Sequence, residues 1–142
     1  MTAEAFFDTN ILLYAGSAAP ADAAKQRRAE KLLLTVPFAT SAQVLQEYIA
    51  NALGKKSLGL SEDNVSAMLE ALGIVEVLPI TRELVSQSFL LRRRFNVSHG
   101  DATIIAAALE LGCKTLYTED LNHGQDYAGV RVVNPFREMD ET

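Results

Sequence analysis

The chain has 142 residues, nearly half of them apolar, the length and composition of one domain with a sizeable core. Thirteen basic against eighteen acidic residues leave a net charge of −5, which excludes nucleic-acid binding through bulk positive charge. No apolar run approaches the roughly 18 residues of a membrane span, and the first residues lack the basic-then-apolar order of a signal peptide, so a soluble cytoplasmic chain without membrane contact is expected.

"AEAFFD", residues 3–8, predicts a first strand, and it runs into "FFDTNILLYA", where Asp8 and Asn10 interrupt an apolar run. "ADAAKQRRAEKLLLT" predicts a helix, and "PFATS", residues 37–41, a second strand. Helices follow near Ala42–Leu53 and Glu62–Leu72, separated by "GKKSLGLS", whose Ser61 can cap the second. "GIVEVLPI" reads as a third strand and leads to a helix that Thr81 can cap and that ends near Phe95. "SHGDATIIAAALELG" is a helix with Ser98 as cap and Gly112 as terminator. "KTLYTED" and "VRVVNP" are the last two strands. The only cysteine, Cys113, enters an apolar strand and reads as a small core residue. Strands alternating with helices imply βαβ units and a mostly parallel sheet covered on both faces, an α/β fold. Residues 1–142 form one domain in this reading, with an acidic tail from about residue 137.

In such sheets the working site lies at the C-terminal strand ends. Asp8 falls there on the first strand and Asp120 on the fourth, so two carboxylates more than a hundred residues apart can converge. Asp101 has the S-x-x-D spacing of a capping box with Ser98. At about 100° per residue it also lies in line with Ile105, Ala108 and Gly112, on the buried face of its helix. A carboxylate placed there is costly unless a cation or donors compensate it, so Asp101 is read as functional. Glu47 lies away from the stripe of Val44, Leu45, Tyr48, Ile49, Ala52 and Leu53, beside Gln43 and Asn51, and the helical wheel alone makes it a solvated residue.

Carboxylates without cysteine ligands, and with only two histidines in the chain, suit a hard cation such as Mg²⁺ or Mn²⁺. Two such ions about 4 Å apart can activate a water and hold the leaving oxygen of a phosphodiester. No G-x-S-x-G elbow and no G-x-x-x-x-G-K-[ST] phosphate loop is present. Basic residues cluster at Lys25, Arg27, Arg28 and Lys31, at Lys55 and Lys56, and at Arg92, Arg93 and Arg94. These are either solvated helix faces and ends or local RNA contacts, and both readings stay open.

"FFDTNILLYA", "QEYIANAL", "SHGDATIIAAA" and "LYTEDLNHGQ", in that order across nearly the whole chain, resemble a PIN domain, and within that superfamily the VapC-type ribonuclease toxins. The resemblance implies a three-layer α/β/α sandwich and Mg²⁺- or Mn²⁺-dependent RNA cleavage. It assigns the metal-site carboxylates to Asp8, Glu47, Asp101 and Asp120, with Glu119 the alternative to Asp120. Asn10, Ser98 and Thr118 match positions that orient those carboxylates or a bound water. His123 and Asp126 lie in the loop that follows, where either substrate contact or a structural role is open. The resemblance further implies a homodimer held by a small antitoxin, with helices between Ala42 and Leu72 contributing to partner surfaces. Two other expectations within the family are a PIN nuclease of RNA processing that is not a toxin, and a catalytically silent interaction module. A receiver or phosphatase is disfavoured, because "DTN" has neither an adjacent acidic pair nor D-x-D.

Overall fold

The computed structural model describes residues 3–137; from residue 138 on, the expected acidic tail lies outside the described residues, as do residues 1 and 2. A three-residue strand, β1 (Ala5–Phe7), gives way after one residue to α1 (Thr9–Gly16). Asp8 makes that turn: its backbone is extended and its carboxylate accepts the Thr9 N–H at 2.7 Å, capping the helix. This helix is not among the elements expected from the sequence, because over so short an apolar run strand and helix periodicities coincide.

A 3₁₀ turn at Pro20–Asp22 leads into α2 (Ala23–Thr35), then β2 (Phe38–Ser41), α3 (Ala42–Gly54), α4 (Glu62–Ala71) and β3 (Val77–Leu78). The chain continues with α5 (Arg82–Phe95), α6 (His99–Glu110), β4 (Thr115–Tyr117), β5 (Asp126–Tyr127) and β6 (Val130–Val133). Ser61, Thr81 and Ser98 cap their helices as expected. Gly112 ends α6 in the left-handed region, φ 74°, where Cys113 N–H reaches Ala108 O and Gly112 N–H reaches Leu109 O. "GIVEVLPI" is a strand only at Val77 and Leu78, since Leu72–Ile74 forms a 3₁₀ turn. The short β5 is a further element that the sequence reading leaves in a loop.

The strands form one sheet in the order β3-β2-β1-β4-β6-β5, parallel except for β5 against β6. Phe6 and Phe7 are fully buried and, being adjacent in a strand, point to opposite faces. Phe7 joins Ile11, Ala29 and Phe136 under α1 and α2, stacked on Phe38 at 4.2 Å. Phe6 joins Val44, Tyr48, Leu84, Ile105 and Val132 in the larger core, on the face covered by α6. The result is the expected α/β/α sandwich. On α6, every residue from Ala102 to Ala108 is buried, and its alanines let the backbone approach both the sheet and α5. Among the described residues no helix is long and apolar enough to cross a membrane.

From β1 the chain moves to β2 and β3 on one side of the sheet and then crosses back through α5 and α6 to β4 and β6 on the other side of β1. That is a topological switch point, where a crevice opens beyond the carboxyl ends of β1 and β4. Asp8 and Thr118 stand at those two ends.

Candidate functional site

A cavity of about 370 Å³ opens at this crevice. Asp8, Asn10, Glu47, Asp101, Glu119 and Asp120 all line it. Asp8 comes from the β1–α1 turn, Glu47 from α3, Asp101 from the first turn of α6, and Asp120 from the segment after β4. Four segments distant in sequence thus contribute carboxylates to one space.

Most of these carboxylates are held by donors of this chain. Thr118 Oγ1 donates to Asp8 Oδ2 at 2.8 Å and accepts the Asp120 N–H at 3.1 Å. Asn10 Nδ2 donates to Asp120 Oδ2 at 3.1 Å and lies 3.4 Å from Thr118 Oγ1. Thr9 Oγ1 donates to Glu47 Oε2 at 2.8 Å, and Gln43 Nε2 to Glu47 Oε1 at 3.1 Å. Among the described residues no protein donor reaches the Asp101 carboxylate. Its backbone N–H is taken by Ser98 Oγ at 3.1 Å, so Ser98 acts as the helix cap and does not line the cavity. Glu119 faces a different set: Tyr14 OH donates to it at 2.8 Å and Lys25 Nζ is 3.4 Å away. Asp120, not Glu119, is therefore the residue tied to Asp8 through Thr118 and Asn10.

Burial pushes the Asp8 carboxyl up to about 7, against the opposing pull of the Thr118 and Thr9 hydrogen bonds, with Asp120 and Glu47 adding repulsion. Asp120 sits exposed at the mouth; partial burial, Asp101 and Glu47 still raise its affinity for a proton, while the Asn10 amide and Lys55 oppose them. The Asn10 carbonyl oxygen, Oδ1, is buried without a partner. An oxygen-only donor set with a strained buried carboxyl and an orphaned carbonyl fits a divalent cation such as Mg²⁺ or Mn²⁺. Among the described residues no three acidic, histidine or cysteine groups are arranged to hold a metal ion as they stand, in keeping with the mutual repulsion of uncompensated carboxylates.

Other residues that the sequence singled out lie elsewhere. Arg92, Arg93 and Arg94 occupy the last turn of α5, with Arg93 over the Phe89 ring and Arg94 over Phe95, and none lines the cavity. His123 lines a separate depression. Asp126 closes the β5–β6 turn by accepting the Gly129 N–H at 2.7 Å, a structural role.

The sequence reading missed Thr9, Tyr14, Asn51 and Lys55 as lining residues. The signal for the last two was present: Gln43, Glu47 and Asn51 repeat every four residues on α3, a stripe that the wheel assigns to solvent, and Lys55 at the helix C-cap continues the same spacing. Three of them line the cavity, and Gln43 reaches it through Glu47. Conversely Ile49 and Leu53, assigned to the apolar stripe, are 36% and 43% exposed.

The PIN domain family model matches residues 5–126. No curated protein matches the chain. Among solved structures the fold resembles a toxin–antitoxin complex from Klebsiella pneumoniae, with 25% identity over 92% of this chain and 97% of that one, TM-score 0.64. It also resembles VapC20 of Mycobacterium tuberculosis, a sarcin–ricin loop cleaving toxin, at 24% identity over 82% and 91%, TM-score 0.62. VapBC2 of Rickettsia felis, bound to a DNA fragment from its promoter, is similar at 20% identity over 92% and 97%, TM-score 0.62.

Proposed function

The chain belongs to the PIN domain family, and from that premise we propose that it is a metal-dependent endoribonuclease, the toxin of a toxin–antitoxin pair. The observation that carries the reading is the convergence of Asp8, Glu47, Asp101 and Asp120 on one cavity at the sheet's switch point. Similar structures described as toxin–antitoxin complexes, and one described as a sarcin–ricin loop cleaving toxin, support it. Asp8, Glu47, Asp101 and Asp120 would hold Mg²⁺ or Mn²⁺, which when bound supplies a Lewis acid and a nucleophilic water for phosphodiester hydrolysis.

The chain's own part is positioning. Thr118 and the Asp8 carboxylate fix each other, and Asn10 ties Asp120 to the same point. Thr9 and Gln43 hold both oxygens of Glu47, so its carboxylate cannot rotate freely. Asp101, which no protein donor restrains among the described residues, is the carboxylate most free to adapt to a cation. Leu13 and Ile104 supply apolar wall to the cavity, lowering the local dielectric and strengthening the charge interactions inside.

Purified protein should cleave single-stranded or looped RNA with Mg²⁺ or Mn²⁺ and stop in EDTA. Asp101→Asn should lose at least about 100-fold in activity while raising the thermal midpoint of the metal-free protein, and Mn²⁺ should stabilise the parent more than the variant. Full activity of Asp101→Asn, in preparations free of contaminating nuclease, refutes the assignment. Sequencing of RNA 5′ ends after brief expression identifies the target. The open arrangement of the carboxylates favours one second reading, a catalytically silent PIN module; a parent protein that neither shifts its thermal midpoint with Mn²⁺ nor cleaves RNA would favour it.

A further inference from the structure

A second depression, of about 210 Å³, lies beyond the ends of β4 and β6 and is lined by Arg28, His123, Val133, Asn134, Pro135 and Arg137. Three of the six lining residues carry nitrogen donors on exposed side chains and none is acidic, in a chain of net charge −5. Among the described residues neither Arg28 nor Arg137 forms an ion pair with a carboxylate. Guanidiniums with no carboxylate partner among the described residues repel one another unless an anion compensates them.

The depression is built rather than incidental, and Asn134 organises it. Its backbone N–H donates to His123 Nδ1 at 3.0 Å, which leaves Nε2 of the neutral imidazole as an N–H donor. Its side-chain Oδ1 accepts the Phe136 N–H at 2.9 Å, and its carbonyl accepts the Arg137 N–H at 3.4 Å. Phe136 is fully buried and anchors the segment that presents Arg137. The His123 loop is pinned as well: Gly124 N–H donates to Val132 O at 2.8 Å and Arg131 to Gly124 O at 2.7 Å. The His123 ring is thus oriented before binding and loses little entropy when an anion arrives, while the two exposed guanidiniums close on the anion from either side.

The depression is also joined to the acidic cavity. Lys25, one turn before Arg28 on α2, lies 3.4 Å from Glu119, which lines the cavity, and 5.7 Å from the Phe136 ring centroid. At the strand ends, Thr118 N–H donates to Val133 O at 3.1 Å, linking a cavity residue's neighbourhood to the depression's wall. We infer that the Arg28–His123–Arg137 depression binds a backbone phosphate of the RNA strand, away from the cleaved bond, with Lys25 along the path between the two sites. This deepens the nuclease reading and rests on it. A polyanionic strand suits the arrangement better than an acidic peptide because one chain of regularly spaced phosphates can occupy the metal site, the Lys25 path and the depression together.

The test is fluorescence anisotropy of a labelled single-stranded RNA of roughly a dozen nucleotides in EDTA, at several salt concentrations, followed by cleavage kinetics in Mn²⁺. For Arg28→Ala/Arg137→Ala the affinity should fall about tenfold and the logarithmic salt slope should shrink by about 0.7, the value for one single-strand phosphate contact. The cleavage defect should fall on KM. Asn134→Ala, a positioning change that leaves all charges in place, should weaken binding in the same direction. Arg82→Ala/Lys114→Ala removes the same charge from exposed positions outside the depression and outside the basic clusters, and should change affinity less than twofold. If the parent binds RNA and Arg28→Ala/Arg137→Ala binds it equally well, the depression is not an RNA site while the nuclease reading survives. If RNA binding is unchanged but affinity for the antitoxin drops, the depression serves a protein partner and the inference is overturned. A parent that neither binds nor cleaves RNA removes both the nuclease reading and this one.

Discussion

Asp8 carries two duties that conflict. It caps α1 and ends β1, which requires burial, and it faces other carboxylates, which burial makes expensive. Its carboxyl moves from an ordinary 3.8 to about 7 in the folded protein, chiefly through burial. The folded state therefore holds the proton more tightly than the unfolded one. This contribution to stability is fully present below about pH 4 and is lost as pH rises through 7, at up to about 1.4 kcal/mol per pH unit. In EDTA the thermal midpoint should drop between pH 5 and pH 8, and Asp8→Asn should flatten that dependence. A parent whose metal-free midpoint rises over this range would contradict the burial argument. Thr118 gives a second residue-level test. Removing its hydroxyl in Thr118→Val frees Asp8 and Asp120 together. If Asp8 and Asp120 hold the metal as proposed, activity should fall about 10- to 100-fold, the usual effect of losing a group that orients a ligand. Wild-type activity in a folded Thr118→Val protein would show that this hydrogen bond does not position the site.

At the scale of elements, α6 explains how a carboxylate ends up at the edge of a core. Residues Ala102 to Ala108 are buried on all sides, with Ser98 and Gly112 fixing the two ends. The helix can neither rotate nor slide, so Asp101 in its first turn is held at the cavity. Ala107 is completely buried, and Ala107→Leu should cost about 1–3 kcal/mol through overpacking. In a domain of this size that lowers the thermal midpoint by several degrees, measurable by calorimetry. An unchanged midpoint would mean that α6 has room to shift. The caps and the apolar run of α6 could be read from sequence because they act locally. What could not be read is equally physical. The helix α1 follows a three-residue strand, too short for either period to show. The stripe Gln43, Glu47, Asn51, Lys55 is polar, and periodicity separates polar from apolar but not solvent from a water-filled cavity. Glu47 was placed by resemblance rather than by its helix. The depression around Asn134 depends on hydrogen bonds between segments separated by eleven residues, which no single run of sequence displays.

For the whole molecule, the remaining question is which surfaces are covered. On α5 the large apolar residues Val85, Phe89 and Leu90 are 44%, 49% and 55% exposed, and Ile49 and Leu53 on α3 are similarly open. Val85 and Phe89 are one helical turn apart, so they form a stripe along α5, a helix of 14 residues and about 21 Å. In the homodimer that the family resemblance implies, a two-fold axis would pair such a stripe with its own copy, a self-complementary contact. A stable dimer needs roughly 800 Å² from each partner, more than one stripe provides, so neighbouring surface must add to it, and the exposed residues of α3 are a separate candidate contact. The sequence-based expectation placed partner surfaces between Ala42 and Leu72; the exposure of α5 extends them. Sedimentation at micromolar concentration should show a dimer, and Phe89→Glu, which buries two like charges at the axis, should convert it to a monomer. Phe89 lies outside the acidic cavity and the basic depression, so antitoxin added to that monomer separates two dependences. Binding with retained inhibition means that the antitoxin needs only one subunit. Lost inhibition means that it needs the dimer. If Phe89→Glu sediments as the parent does, α5 is not the contact and the α3 face must be tested alone through Leu53→Glu.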